Sequence, residues 1–247
     1  MKRETARHWV RALALTGVVV LLAVGSAGPA GATHLRRPFT VDIQSAAWLA
    51  PDSRSMTVQV LATCPERWTV VEALVKVSQP EASGQASFPL TCIDQVRMFT
   101  VSVPATGGTF GLDEPTQATA SAVIKRGKTE QAQDSETLFV QPAVLVDIAQ
   151  TAKLESSGGA LTLAVTAACP VGANGRESRL GVSQGETRGV GFYVPECDGF
   201  EHTFTVRVEA SRGLYTAGSA QALTFADVEH GGMDFSGVDE QLVQIVS

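Results

Sequence analysis

Met56-Thr57-Val58-Gln59-Val60-Leu61-Ala62-Thr63-Cys64-Pro65 and, 105 residues later, Leu161-Thr162-Leu163-Ala164-Val165-Thr166-Ala167-Ala168-Cys169-Pro170 are the stretches from which the architecture can be read. In the first, Met56, Val58, Val60 and Ala62 alternate with Thr57, Gln59, Leu61 and Thr63. A period of two is the mark of a strand with one face buried. The second stretch keeps the same parity. Continuing it places both Cys64 and Cys169 on the inward side of their strands.

Working outward, the 105-residue offset holds elsewhere without a gap. Val41-Asp42-Ile43 matches Val146-Asp147-Ile148, and Val77-Ser78-Gln79 matches Val182-Ser183-Gln184. Cys92 matches Cys197, and Phe99-Thr100-Val101 matches Phe204-Thr205-Val206. Thr119, Val123 and Gly127 also recur at Thr224, Val228 and Gly232. A repeat of this length means two copies of one unit. Val71, Ala73, Val75 and Val77 form another alternating run, and clusters such as Gly107-Gly108 and Ser157-Gly158-Gly159 break the runs as turns do. No helical period follows the first 32 residues.

About seven short strands per copy predict an all-β chain of two tandem immunoglobulin-like antiparallel β-sandwiches, since one apolar sheet face needs a second to cover it. A small jelly roll or open barrel is the alternative. The core tryptophan of immunoglobulin domains is not shared, because Trp68 has Ala173 as its counterpart. The expected domains are 33–140 and 141–247. Gln141-Pro142-Ala143 forms a linker short and stiff enough to restrict the angle between them.

Residues 1–32 read as an export signal. Lys2, Arg3, Arg7 and Arg11 precede an apolar run, Ala12 to Val24, too short to span a bilayer, and Ala30-Gly31-Ala32 gives the small-x-small cleavage pattern. The mature product is expected to be secreted and extracellular, outside the membrane, and monomeric. Residues 33–140 carry 9 basic and 11 acidic side chains, and residues 141–247 carry 6 and 13. So acidic a surface repels phosphate backbones and argues against nucleic acid as partner.

Four cysteines in an exported chain predict two disulfides. Three connectivities are possible. The repeat selects Cys64–Cys92 and Cys169–Cys197, because equivalent copies should pair alike. A zinc site would need paired histidines or closely spaced cysteines, which neither copy has.

Little in the sequence carries chemistry. His202 and His230 have Arg97 and Lys125 as counterparts, and no nucleophile elbow, zinc-protease motif or phosphate loop is present. The shared acids Asp42/Asp147 and Glu81/Glu186 fall one per region, too far apart to read as a hydrolytic pair. The shared Ser78-Gln79 and Ser183-Gln184 could bind a ligand or hydrogen-bond the backbone of a neighbouring loop, and the structural role is the expected one. No catalytic residue, cofactor or metal site is therefore expected. Candidate ligand-contacting residues are Trp68, Trp48, Tyr215 and His202, with Trp68 expected to be the most exposed.

Copy two reads Cys169, Val182-Ser183-Gln184-Gly185, Cys197-Asp198-Gly199-x-x-His202, and then Gly213-x-Tyr215. In this it resembles small secreted actinobacterial domains of unknown function. The resemblance implies an extracellular β-sandwich with an internal disulfide and carries no activity with it. Copy one departs from it at Cys92-Ile93-Asp94-Gln95, which lacks the glycine and the histidine. The expected function is non-enzymatic: an extracellular interaction module for another protein or a cell-envelope component. The alternative is a small-molecule or glycan binder using a cleft in one domain or at the junction, and a hydrolase is the remote third.

Overall fold

The computed structural model describes residues 38–247. The expected signal, residues 1–32, lies outside them, as does His34. The first half holds β1 (Thr40–Leu49), β2 (Ser55–Thr63), β3 (Thr69–Ser78), β4 (Ser83–Ser87), β5 (Val96–Gly107), β6 (Thr116–Arg126) and β7 (Lys128–Pro142). The second holds β8 (Leu145–Leu154), β9 (Ala160–Ala168), β10 (Asn174–Gly175), β11 (Ser178–Gln184), β12 (Thr187–Tyr193), β13 (His202–Arg212), β14 (Gly218–His230) and β15 (Met233–Val246). The chain is all-β, with two sheet systems.

Strand order in the first half is β1-β2-β5-β4-β3-β6-β7, and β1 returns to pair in parallel with β7. Here β4 pairs with β3 over five residues and with β5 over only two, so three strands (β1, β2, β5) face four (β4, β3, β6, β7), an immunoglobulin-like arrangement with the hydrogen bonds closed into a ring. The second half repeats it as β8-β9-β13-β12-β11-β14-β15, with β15 returning parallel to β8. The short β10 adds to β14 and continues the line of β11. The jelly-roll alternative is set aside by this order.

The alternation read from the sequence packs as expected along β2 and β9. Met56, Val58 and Val60 are fully buried, as are Leu161, Leu163 and Val165. Cys64 bonds Cys92 and Cys169 bonds Cys197, each pair 28 residues apart. Neither bridge crosses the core as an antibody bridge does. Each ties the end of the second strand to the loop that precedes the fifth, and so pins one end of its sandwich.

Three details differ from the sequence reading. Val71 was expected inside but is exposed, because a bulge between Val70 and Glu72 inserts one residue into β3 and turns Val70 toward the core instead. Gln141 and Pro142 were expected in the linker but belong to β7, held by parallel pairing to Trp48 and Leu49. The third concerns the gapless offset. Ser78 pairs with Gln117 and Ser183 with Gln221, so β6 and β14 are 104 residues apart, although their neighbours keep 105. Thr119 and Thr224 are therefore not equivalent: Thr119 is half-exposed, Thr224 buried. One residue of slip moves every side chain to the other face. The turn before β15 restores the offset.

Candidate interaction surface

The four candidate residues do not converge. Trp48 sits on β1 opposite Thr57, near the start of β2, whereas Trp68 follows the end of β2. Both are half-buried, and Trp68 packs against the first core, so it is not the exposed ring expected. Tyr215 is buried, with its phenol donating to the Val182 carbonyl at 3.1 Å. A side chain at Gly189 would collide with that phenol, since a Cβ there would lie 2.5 Å from the Tyr215 oxygen. Tyr215 is thus a packing residue at the loop between β13 and β14, where the first half places the buried Phe110. Burial pushes its ionisation up to about 12.

His202 opens β13, outside both cores. Its Nε2 lies 2.8 Å from an Asp198 carboxylate oxygen and its Nδ1 3.5 Å from Glu196. The hydrogen bond to Asp198 raises the imidazole above its ordinary value, helped by the charges of Asp198 and Glu196, and holds Asp198 below the usual carboxylate range. The Asp198 carboxylate also accepts the Phe200 N–H. The Cys-Asp-Gly-x-x-His segment is a turn closed by an ion pair. Asp198 also stands at the rim of a cleft of about 660 Å³, lined by Asp52, Arg54, Glu81 and Glu114 from the first half and by Val171 and Phe200 from the second.

Two polar pairs have structural roles. Gln79 Nε2 donates to the Gly111 carbonyl and to Thr116 Oγ1, while its Oε1 accepts the Gly111 N–H. Gln184 makes the matching pair of bonds to Thr216, 105 residues after Gly111. Asp134 and Asp239 were not foreseen. Their carboxylates accept the Ile43 and Ile148 N–H groups at 2.8 and 2.9 Å, beside the irregular pairing in β1 and β8. Both lie in long polar strands whose composition hides them.

The surface that distinguishes the halves is the outer face of β12, β11, β14 and β15. Cross-strand pairing lays it out in rows. One row runs Phe192, Arg179, Phe225, Val238, and the next runs Val190, Gly181, Leu223, Glu240. Phe192, in the first row, is 60% exposed, and Leu242, in the row beyond the second, is 77% exposed. The Arg179 guanidinium lies 4.8 Å over the Phe225 ring and flattens the surface there. Strand β14 is inverted relative to intuition. Its alanines, Ala220, Ala222 and Ala226, face the core, while Leu223 and Phe225 face outward. Pattern reading alone sends the large side chains inward, which is why this face was missed. In the first half, the same positions on β4, β6 and β7 are Gln85, Ser87, Thr119, Ser121, Gln133 and Ser135.

The molecule is thus a pair of immunoglobulin-like sandwiches with a flat apolar face on one of them only. No family model matches the chain, and no curated protein matches it in sequence. Among solved structures, red sea bream transglutaminase aligns at 11% identity over 86% of this chain and 31% of its own length, with a TM-score of 0.29. The ectodomain of the teleost fish polymeric Ig receptor aligns at 13% identity over 85% of this chain and 97% of its own, with a TM-score of 0.27. The immunoglobulin-like assignment rests on the strand order, not on these alignments.

Proposed function

We propose that the chain is an exported, non-catalytic interaction module that binds protein through the outer β12-β11-β14-β15 face. One observation carries this reading: large apolar side chains stand outward at positions where the first half has glutamine, serine and threonine. The core does not need them there, and contiguous apolar surface rimmed by polar groups is what interfaces are made of. Export is supported by the leader-like first 32 residues and by two closed disulfides. Among the described residues no helix is long and apolar enough to cross a membrane. The non-catalytic reading is supported by His202, whose ring nitrogens both face carboxylates in an ion-pair arrangement.

Site-specific photo-crosslinking tests the surface. A photoreactive residue at Phe192 should capture a protein when the secreted chain is incubated with cells of the producing organism. The same residue at Ser87, the first-half counterpart, should capture none. Equal capture at both positions, or none at either, would overturn the proposal. A cationic small ligand in the cleft between the halves is the second reading, favoured by its carboxylates Asp52, Glu81, Glu114 and Asp198 and by a volume within the range of ligand sites.

A further inference from the structure

Two histidines fall among the described residues, His202 and His230, and both stand where the second half meets the first. Only Ala143 and Val144 join β7 to β8. Among the described residues a single ion pair crosses between the halves: His230 Nε2 lies 3.3 Å from an Asp113 carboxylate oxygen. His230 is buried, and its Nδ1 faces the Gly172 carbonyl at 3.2 Å. A carbonyl and an ionised carboxylate can only accept. A neutral imidazole has one N–H, so one of its nitrogens would turn a lone pair toward an oxygen. The doubly protonated ring satisfies both contacts. His202 reaches the junction through its turn. It holds Asp198, and the next residue, Gly199, has a φ of +89°. Gly199 packs so close to the first half that a Cβ would lie 3.0 Å from the Pro51 carbonyl.

The repeat sharpens the contrast. His202 corresponds to Arg97 and, since β14 runs 104 residues after β6, His230 corresponds to Arg126; both arginines are exposed. Where one sandwich rests on the other, the fold carries cations that can be switched off, and at the equivalent end of the first half it carries cations that cannot. We infer that His202 and His230 make the junction a pH-operated clamp. With both rings protonated the halves are held in one orientation; with both neutral they swing about Ala143-Val144 and open the cleft between them. The charges facing the two rings are few. His230 packs against loop 112–115, which brings Asp113 and Glu114, against the apolar end of β7, and against Met233 at the start of β15. Its neighbour Glu229 pairs instead with Arg176. His202 has Glu196 and Asp198 beside it and uncharged Ala167 opposite on β9. Asp52 and Arg54 of the first half line the cleft that Asp198 rims. Each contact is made by the charged ring, so the clamp is complete in mildly acidic solution and released as the rings lose their protons. For His202 the release falls above the ordinary histidine value, because the bond to Asp198 favours its charged form.

Residual dipolar couplings, measured by NMR on the full chain with its disulfides intact, test the clamp. At about pH 5.5 both halves should report one alignment tensor. At about pH 9 their alignment magnitudes should differ about twofold or more, as for domains that move independently. Asp113→Ala removes an exposed side chain, so the fold is not at risk, and it should loosen the halves already at the lower pH. His202→Gln combined with His230→Gln should leave the halves loose at both pH values, while the couplings within each half still fit its own sandwich. Halves that share one tensor at both pH values overturn the clamp, as do halves that move independently at both. A pH response that survives in the double variant overturns it too, and so does Asp113→Ala without effect.

Discussion

At Gln79 one amide makes three hydrogen bonds in a buried setting, and at Gln184 the same geometry is repeated near solvent. Removing a partner from a buried group costs more than removing it from a wet one. Gln79→Ala should therefore cost about 2–3 kcal/mol and Gln184→Ala about 1 kcal/mol, read by urea unfolding. The role of these glutamines was legible in the sequence because both copies kept them. The role of Asp134 and Asp239 was not, since a carboxylate aimed at a backbone N–H leaves no local pattern. His202 gives a pH observable. Its hydrogen bond to Asp198 favours the charged imidazole, so the small stabilisation it brings is complete below the ordinary histidine value. That contribution fades as pH rises through the elevated folded value. Proton NMR titration should find His202 above an ordinary histidine, and Asp198→Asn should return it toward that value.

Among the strands, β14 best separates what a pattern can and cannot reveal. Its sequence alternates, but alternation alone does not say which parity faces inward when alanines occupy one face and Leu223 and Phe225 the other. The offset of 104 rather than 105 settles the question, and it becomes visible only through pairing with β11. The strands with large inward residues, β2 and β9, were readable without any partner. The loop carrying Tyr215 makes its own prediction. Tyr193 and Tyr215 are the chain's only tyrosines, and burial raises both above an ordinary phenol, Tyr215 to about 12. The stability due to these neutral phenols is fully present below about pH 10. It is lost as pH climbs toward the folded value, because the unfolded chain releases these protons first. Tyrosinate absorbance should therefore rise as a steep step coincident with unfolding, not as a gradual titration near the ordinary value. Tyr215→Phe, which copies Phe110, should cost only about 1 kcal/mol.

Over the described residues as a whole, tryptophan and tyrosine divide between the halves. Trp48 and Trp68 lie in the first, and both tyrosines in the second. In a chain made to start at residue 33, which lacks Trp9, tryptophan fluorescence would report one sandwich and tyrosine absorbance the other. His230, on the second half, approaches Asp113 of the first at 3.3 Å and reaches the Gly172 carbonyl through its other nitrogen. Cys169, Ala173 and Val228 belong to the same buried cluster as the first core. The two signals should accordingly overlap in a denaturant titration, and His230→Ala should pull them apart. Both halves also begin and end with strands that lie side by side and run the same way, β1 with β7 and β8 with β15. The consequence is mechanical. Tension applied to the two ends of either half loads those parallel pairs in shear, so their hydrogen bonds must break together instead of unzipping singly. Behind that clamp, each disulfide withholds 28 residues of slack, roughly 95 Å of extended chain. Stretched one molecule at a time, each sandwich should lengthen by about that much more in reducing buffer than in oxidising buffer.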